Sequence, residues 1–323
     1  MSLSLRSLSA NPAALGSVAA VAASACFTIN DATVKFLSSD YPLHQVVLIR
    51  SVIGLVFVAV VFMPAAGGLR CLRTKRLGAH VLRGLCVVVA NMTFFLGLAA
   101  MPLAEGVAVF FISPVLISVV AVALMGETVG RWRWGAIGLG FVGVLVMLRP
   151  GGGTFQWVAL LPLIAACGYA SLHMLTRTIR ATESAVTMVV YIQLVFIVVS
   201  AVMGLAVGDG RFGGSENASL DFLLRAWIWP APKDLWLLGL VGVATGVGGY
   251  LISLAYRTAE AAFVAPFEYI AMPLGVVSGY VIFAEVPDAI AFFGIGLILG
   301  SGLLMVWREA VRKPLAQDAP VRR

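Results

Sequence analysis

The sequence predicts an all-α polytopic membrane protein with ten transmembrane helices arranged as two inverted five-helix repeats. Three observations carry that prediction. The 323-residue chain is 61% hydrophobic and 11% charged, with a mean hydropathy of +1.01, whereas soluble domains carry roughly a quarter charged residues. Ten apolar stretches each approach the ~20 residues a spanning helix needs. Lys and Arg collect in every second gap between them.

The spans fall near 13–37, 45–64, 80–100, 106–126, 134–148, 156–175, 185–207, 235–256, 261–283 and 288–307. Their apolar runs are continuous rather than alternating, which favours helices over a barrel. With the N-terminus inside, the cytoplasmic segments hold 16 basic residues and the outer loops hold 4: Arg149, Arg211, Arg225 and Lys233. Lys35 and Arg50 lie inside spans. That bias places both termini in the cytoplasm. Trp132, Trp134, Trp157, Trp227, Trp229, Trp236 and Trp307 fall at or beside span ends, as an interfacial belt requires. The net charge of +7 is therefore a topology signal, dispersed over lipid-facing loops, and no nucleic-acid partner is expected.

Smaller features fit the same frame. Cys26, Cys71, Cys86 and Cys167 have no CxxC spacing and read as buried free thiols. Ala23-Ser24-Ala25-Cys26 resembles a leader-cleavage site, but the weak basic region before it and the nine later spans favour a retained first helix. Asn217-Ala218-Ser219 is a glycosylation sequon. The segment 208–234 is the longest loop, and Phe222 to Trp229 within it is expected to form an interfacial helix. The tail, 308–323, is cytoplasmic.

The chain also resembles itself. Ala104-Glu105 returns as Ala259-Glu260, and Phe95-Leu96 as Tyr250-Leu251, both 155 residues on. Gly126-Glu127 returns as Ala284-Glu285, and Gly138-Leu139 to Met147 as Gly296-Leu297 to Met305, 158 residues on. The halves are thus 13–149 and 156–307, each with five spans. An odd number of spans inverts the second copy, the usual frame for alternating access around a midplane site.

These ordered features resemble the EamA family of the drug/metabolite transporter superfamily. The resemblance rests on Ala104-Glu105-Gly106 opening the fourth span, Pro114 midway, Gly126-Glu127 closing it, and Ala284-Glu285 in the second copy. Asn30-Asp31, Lys35, Pro42, Gln45 and Arg50 match the family's first two helices, and Ala265 to Tyr269 its ninth. The second copy departs at Ala284, and its Glu260-to-Pro273 gap is 13 residues against 9 for Glu105-to-Pro114. The resemblance implies eight helices around a central cavity, with the fifth and tenth peripheral. It implies a carrier in the cell's inner membrane, leaning toward export of neutral or aromatic amino acids. The alternative is an importer of a riboflavin, carboxylate or sugar class of metabolite.

Polar groups inside spans are costly and mark candidate transport residues. Glu268 sits between the helix breakers Pro266 and Pro273, an arrangement that points to a substrate or ion site; Pro114 is the corresponding break in the first half. The Glu268 carboxylate could bind a substrate ammonium or carry a coupling proton, or simply be held by a tyrosine or a basic side chain. Asp31 and Lys35 stand four apart and are expected to neutralise each other on one helix face. Arg50 could pair with Asp31 or Glu285 as an outer gate, or bind a substrate carboxylate. Asn91 and Gln193 serve either helix-to-helix hydrogen bonds or ligand contact, and Tyr169 and His173 share one face of the sixth span. Phe267 and Tyr269, with Phe110 and Phe111, could line an aromatic cavity.

Other function classes find less support. No Walker A sequence, HExxH or GxSxG occurs, and His44, His80 and His173 are far apart, which disfavours an ATPase and an intramembrane enzyme acting on lipid. No cofactor is expected. Energy would come from the substrate gradient or from protons.

Overall fold

In the computed structural model, residues 12–113, 115–117, 119–120, 131–149, 157–179, 182–258, 264 and 267–317 are described. The Gly126-Glu127 and Ala259-Glu260 motifs, Pro114 and Pro266 lie outside them. Eleven α-helices are present among the described residues: α1 Pro12–Leu37, α2 Leu43–Val61, α3 Leu77–Leu98, α4 Leu103–Phe110, α5 Arg131–Leu148, α6 Leu160–Ile179, α7 Ala185–Val207, α8 Ala218–Leu224, α9 Leu235–Thr258, α10 Ala271–Phe283 and α11 Ala289–Gln317. Six helical segments are long and apolar enough to cross a membrane, and four more are apolar but shorter. The protein is a helical, polytopic membrane protein. Large apolar side chains such as Val60, Leu205, Val281 and Phe293 stand exposed on its flanks, where lipid rather than water is the matching solvent.

Helix ends follow local chemistry. Pro42 and Pro102, both extended, precede α2 and α4 and supply no donor where the first turn needs none. Ser184 caps α7, its Oγ accepting from Thr187 N at 3.0 Å. Asp288 starts α11 by accepting from Ala291 N at 2.8 Å, and it also takes Arg149 Nη2 at 2.6 Å, tying the end of α5 to the start of α11. The α11 helix runs to Gln317, so the expected tail from 308 begins as helix. Apolar composition marks where lipid ends, not where backbone hydrogen bonding ends.

Ala284 ends α10 in the left-handed region at φ 54°. Ala284 N donates to Tyr280 O at 3.1 Å, the single bond of an αL stop, and Glu285 N donates to Gly279 O at 3.0 Å. An alanine there carries roughly 1–2 kcal/mol of strain. Ala284→Gly should therefore raise stability by about 1 kcal/mol, read as a higher melting temperature in detergent; an unchanged or lower value would refute the strain.

Pairings run across the chain. The α9 helix packs along α1 and α2, α3 packs along α6 and α7, and α10 and α6 border α1 and α4 respectively. The helices α2 and α7, α4 and α10, and α5 and α11 also pair. Glycines make the α2–α9 approach possible: a Cβ on Gly242 would stand 2.5 Å from Ile53 Cβ, and one on Gly246 3.1 Å from Gly54 O. Gly143 likewise meets Ile298 between α5 and α11, but a Cβ on Gly296 or Gly300 would meet nothing within 4 Å among the described residues. The Gly296–Gly300 edge of α11 therefore faces away from the described neighbours, whereas Gly294 and Gly302 meet Met147 and Tyr269.

The 208–234 segment closes over the α1–α2 turn, and its helix is not where the sequence suggested. Asn217 Oδ1 accepts from Ser219 N and Leu220 N at 3.0 and 3.2 Å, which starts α8 upstream of Phe222. Beyond Leu224 the chain is extended because other side chains take its backbone. Gln45 Nε2 donates to Ile228 O at 2.6 Å, and Ala231 N donates to Tyr41 Oη at 2.9 Å. Tyr41 in turn donates to Asp234 at 2.7 Å. Burial, with the Asp234 carboxylate beside it, holds the Tyr41 hydroxyl above the ordinary tyrosine range.

Candidate functional site

Five helices converge on Arg50, which is 1% exposed. Its Nη1 donates to Asn30 Oδ1 on α1 at 3.0 Å, and its Nη2 donates to Asn91 Oδ1 on α3. The guanidinium carbon lies 5.2 Å from the ring centroids of Phe95 on α3 and Phe196 on α7. Thr245 on α9 also donates to Asn30 Oδ1, at 2.9 Å, and Asn30 Nδ2 donates to Asp31 Oδ1 at 2.9 Å. Amide oxygens and ring faces thus replace the water a buried guanidinium loses.

A second polar cluster surrounds Glu268, which is buried just before α10, where the helical path breaks at Tyr269 and Ile270. Tyr169 on α6 donates to its Oε2 at 3.1 Å, and Tyr256 on α9 donates to its Oε1. His173 packs between those tyrosines, its ring centroid 4.3 Å from Tyr169 and 4.7 Å from Tyr256. Pro273 falls in the first turn of α10, where its missing N–H breaks no helical bond.

Between the clusters lies a cavity of about 200 Å³. Arg50, Asn30, Asp31, Asn91 and Gln193 line it toward the 208–234 end, and Tyr169, His173, Tyr256, Glu268 and Arg83 toward the 62–76 end. Phe94, Phe110 and Phe196 form apolar wall; the Phe110 centroid is 5.1 Å from both Phe94 and Tyr169. The lining residues of α3 (Arg83, Val87, Ala90, Asn91, Phe94) and of α6 (Tyr169, Leu172, His173, Thr176) each follow helical spacing on a single face.

Residues far apart in the chain are tied together at the Lys35 end of α1. Lys35 Nζ donates to Glu285 Oε1 at 2.7 Å and to Met101 O at 2.7 Å, and Glu285 Oε2 accepts from Leu103 N at 2.9 Å. Two expected ion pairs are thereby corrected. Lys35 pairs with Glu285 rather than with Asp31 one turn away, because the α10–α11 turn offers a carboxylate that its long stem reaches. Arg50 makes no direct ion pair with Asp31 or Glu285: its fork is taken by Asn30 and Asn91, and the Asp31 carboxylate acts on it electrostatically. Lys35→Gln and Glu285→Gln should each destabilise by about 1–2 kcal/mol, and the double variant by less than their sum. Thermal unfolding in detergent measures this; strict additivity would refute the coupling.

Of the remaining expected residues, Tyr269 and Phe267 are turned from the cavity. Tyr269 stacks near Phe111 at 5.4 Å and fills the space a side chain at Gly302 would need. Phe267 packs with Ala19, Ala20, Ala255 and Val264. Sequence reasoning passed over Arg83, counted among cytoplasmic charges, and Tyr256 near a span end. Their signal was position: Arg83 stands two turns inside α3, and Tyr256 stands twelve residues before Glu268.

Similarity to known proteins agrees with this architecture. A riboflavin transporter of Rhizobium johnstonii is 29% identical, over 76% of this chain and 76% of its own. An S-adenosylmethionine uptake transporter of Rickettsia prowazekii is 26% identical, over 87% of this chain and 88% of its own. A solved crystal structure shares the fold with a TM-score of 0.65 at 15% identity, covering 93% of this chain and 98% of that one. Residues 14–149, which span α1 to α5, match the EamA-like transporter family.

Proposed function

We propose that the protein is a secondary transporter of the inner membrane that takes up a flat heteroaromatic metabolite, of flavin or nucleoside type, by alternating access. The observation that carries this reading is the cavity itself. Phe94, Phe110 and Tyr169 offer ring faces, while a buried cation and a buried carboxylate stand at its two ends. Stacking surfaces with few convergent polar groups suit a planar heterocycle bearing a polar chain. The relatives named for riboflavin and S-adenosylmethionine transport molecules of that shape.

The frame is two inverted five-helix repeats, 13–149 and 156–307, with both termini and the 62–76 end cytoplasmic. Exchanging α1 with α6, α2 with α7, α3 with α9, α4 with α10 and α5 with α11 maps each pairing given above onto itself or onto another of them. That closure supports related halves. The Lys35–Glu285 tie spans the halves at the outer end, as an alternating-access gate requires.

Export of neutral or aromatic amino acids is the second reading, favoured by Arg50 and Glu268 lining one cavity, a complement to a zwitterion. Proteoliposomes loaded with unlabelled riboflavin, S-adenosylmethionine or phenylalanine separate the two by counterflow of the labelled compound. Saturable counterflow of riboflavin or S-adenosylmethionine supports the first reading. Counterflow of phenylalanine alone overturns it.

A further inference from the structure

We infer that Arg83 is an anion subsite, taking a carboxylate or phosphate monoester on the transported molecule. The inference deepens the heteroaromatic reading by naming a second chemical group that the substrate carries. Arg83 and Asn91 both line the cavity from α3, eight residues and so about 12 Å apart along the helix axis. Phe94 belongs to the same face. Along this wall Ala90 and Val87 stand between the Arg50–Asn91 clamp and Arg83, and Phe94 lies beyond the clamp.

The two arginines differ in what they already hold. The Arg50 fork is occupied by two amide oxygens, and its faces by two rings. Arg83, 3% exposed, is held at one edge only: its Nε donates to Thr176 Oγ1 at 3.0 Å, and that hydroxyl donates onward to Leu172 O at 2.8 Å. Its Nη1 has no hydrogen-bond partner among the described residues. Among the described residues, the carboxylates at this end are engaged elsewhere: Glu268 accepts from Tyr169 and Tyr256, and Glu183 accepts from Thr74 at 2.8 Å with His80 Nε2 3.2 Å away. Intramembrane charges are normally paired. A guanidinium fixed at Nε, with its Nη1 unmet beside a cavity, is shaped to receive an anionic group.

The test is flavin fluorescence quenching on the full-length protein in dodecylmaltoside. The probes are neutral riboflavin, riboflavin 5′-phosphate and a flavin bearing an N10 carboxymethyl group, against wild type, R83Q and R83K. At least one anionic flavin should bind wild type about tenfold more tightly than riboflavin; the better of the two identifies the anion. In R83Q the affinities should converge, and R83K should recover part of the difference. Equal affinities in wild type, or a preference that survives in R83Q, overturn the subsite.

Thermal protection by inorganic phosphate or acetate reads the same residue without a flavin. If no flavin binds, the flavin form of the heteroaromatic reading fails, while protection present in wild type and absent in R83Q still upholds the subsite. Its absence from wild type, in the same case, overturns it. Added phosphatidylglycerol identifies the source: protection by the lipid in place of the free anion makes Arg83 a headgroup site and overturns the substrate role.

Discussion

Arg50→Ala should abolish transport and lower the stability of the fold by about 3–5 kcal/mol, the range for breaking a buried charged network. The residue bridges Asn30 on α1 and Asn91 on α3 and is sandwiched near Phe95 and Phe196. Its removal leaves Asn91 Oδ1 without that donor, while Asn30 Oδ1 keeps only Thr245. Each hydrogen bond from a charged group contributes about 1.5–3 kcal/mol. Arg50→Lys should be intermediate, because a point ammonium lacks the fork that spans acceptors on two helices. Thermal unfolding of the purified variants and counterflow in proteoliposomes provide the two readouts. An Arg50→Ala protein with wild-type melting and wild-type flux would remove Arg50 from both roles.

Glu268→Gln should cut flux about 10- to 100-fold while leaving the fold intact, since losing one charge-assisted contact in the moving complex corresponds to about 1.5–3 kcal/mol. The amide keeps the side chain's shape and an oxygen to accept from Tyr169 or Tyr256, so little packing is lost. Glu268→Ala leaves both hydroxyls unmet and should lower the melting temperature as well. Counterflow separates the two roles open to the carboxylate. If it carries a coupling proton, exchange at equal pH survives in Glu268→Gln and uptake driven by a pH gradient is lost. If it contacts a cationic group of the substrate, both are lost. Full activity in both assays would reduce Glu268 to a structural hydrogen-bond acceptor.

What could be read in advance differs from residue to residue. Arg50 and Glu268 announced themselves because a charge deep in an apolar run has few uses besides function. Arg83 is the same kind of group, yet its place near a predicted span end made it look like one more interfacial cation. Lys35 and Asp31 sit one turn apart, which suggested a local pair; the competing partner, Glu285, is 250 residues away and enters only through the α10–α11 turn. Phe267 and Tyr269 flank Glu268, but the break before α10 sends the carboxylate to the cavity and its neighbours to other helices. The Phe222–Trp229 segment has the composition of an interfacial helix, and Gln45 and Tyr41 hold its second half extended.

Hydropathy and charge bias along the chain were enough to establish a helical membrane protein, its approximate spans and the charges that merit attention. Those quantities are local, since lipid solvates each segment largely independently of the others. Which charges meet, which aromatic faces turn inward and which distant residues are tied together were decided only by tertiary structure. These depend on helix rotation and on contacts between residues hundreds of positions apart, where close glycine approach, a left-handed stop at Ala284 and a few long side chains select one arrangement among many of similar apolar burial.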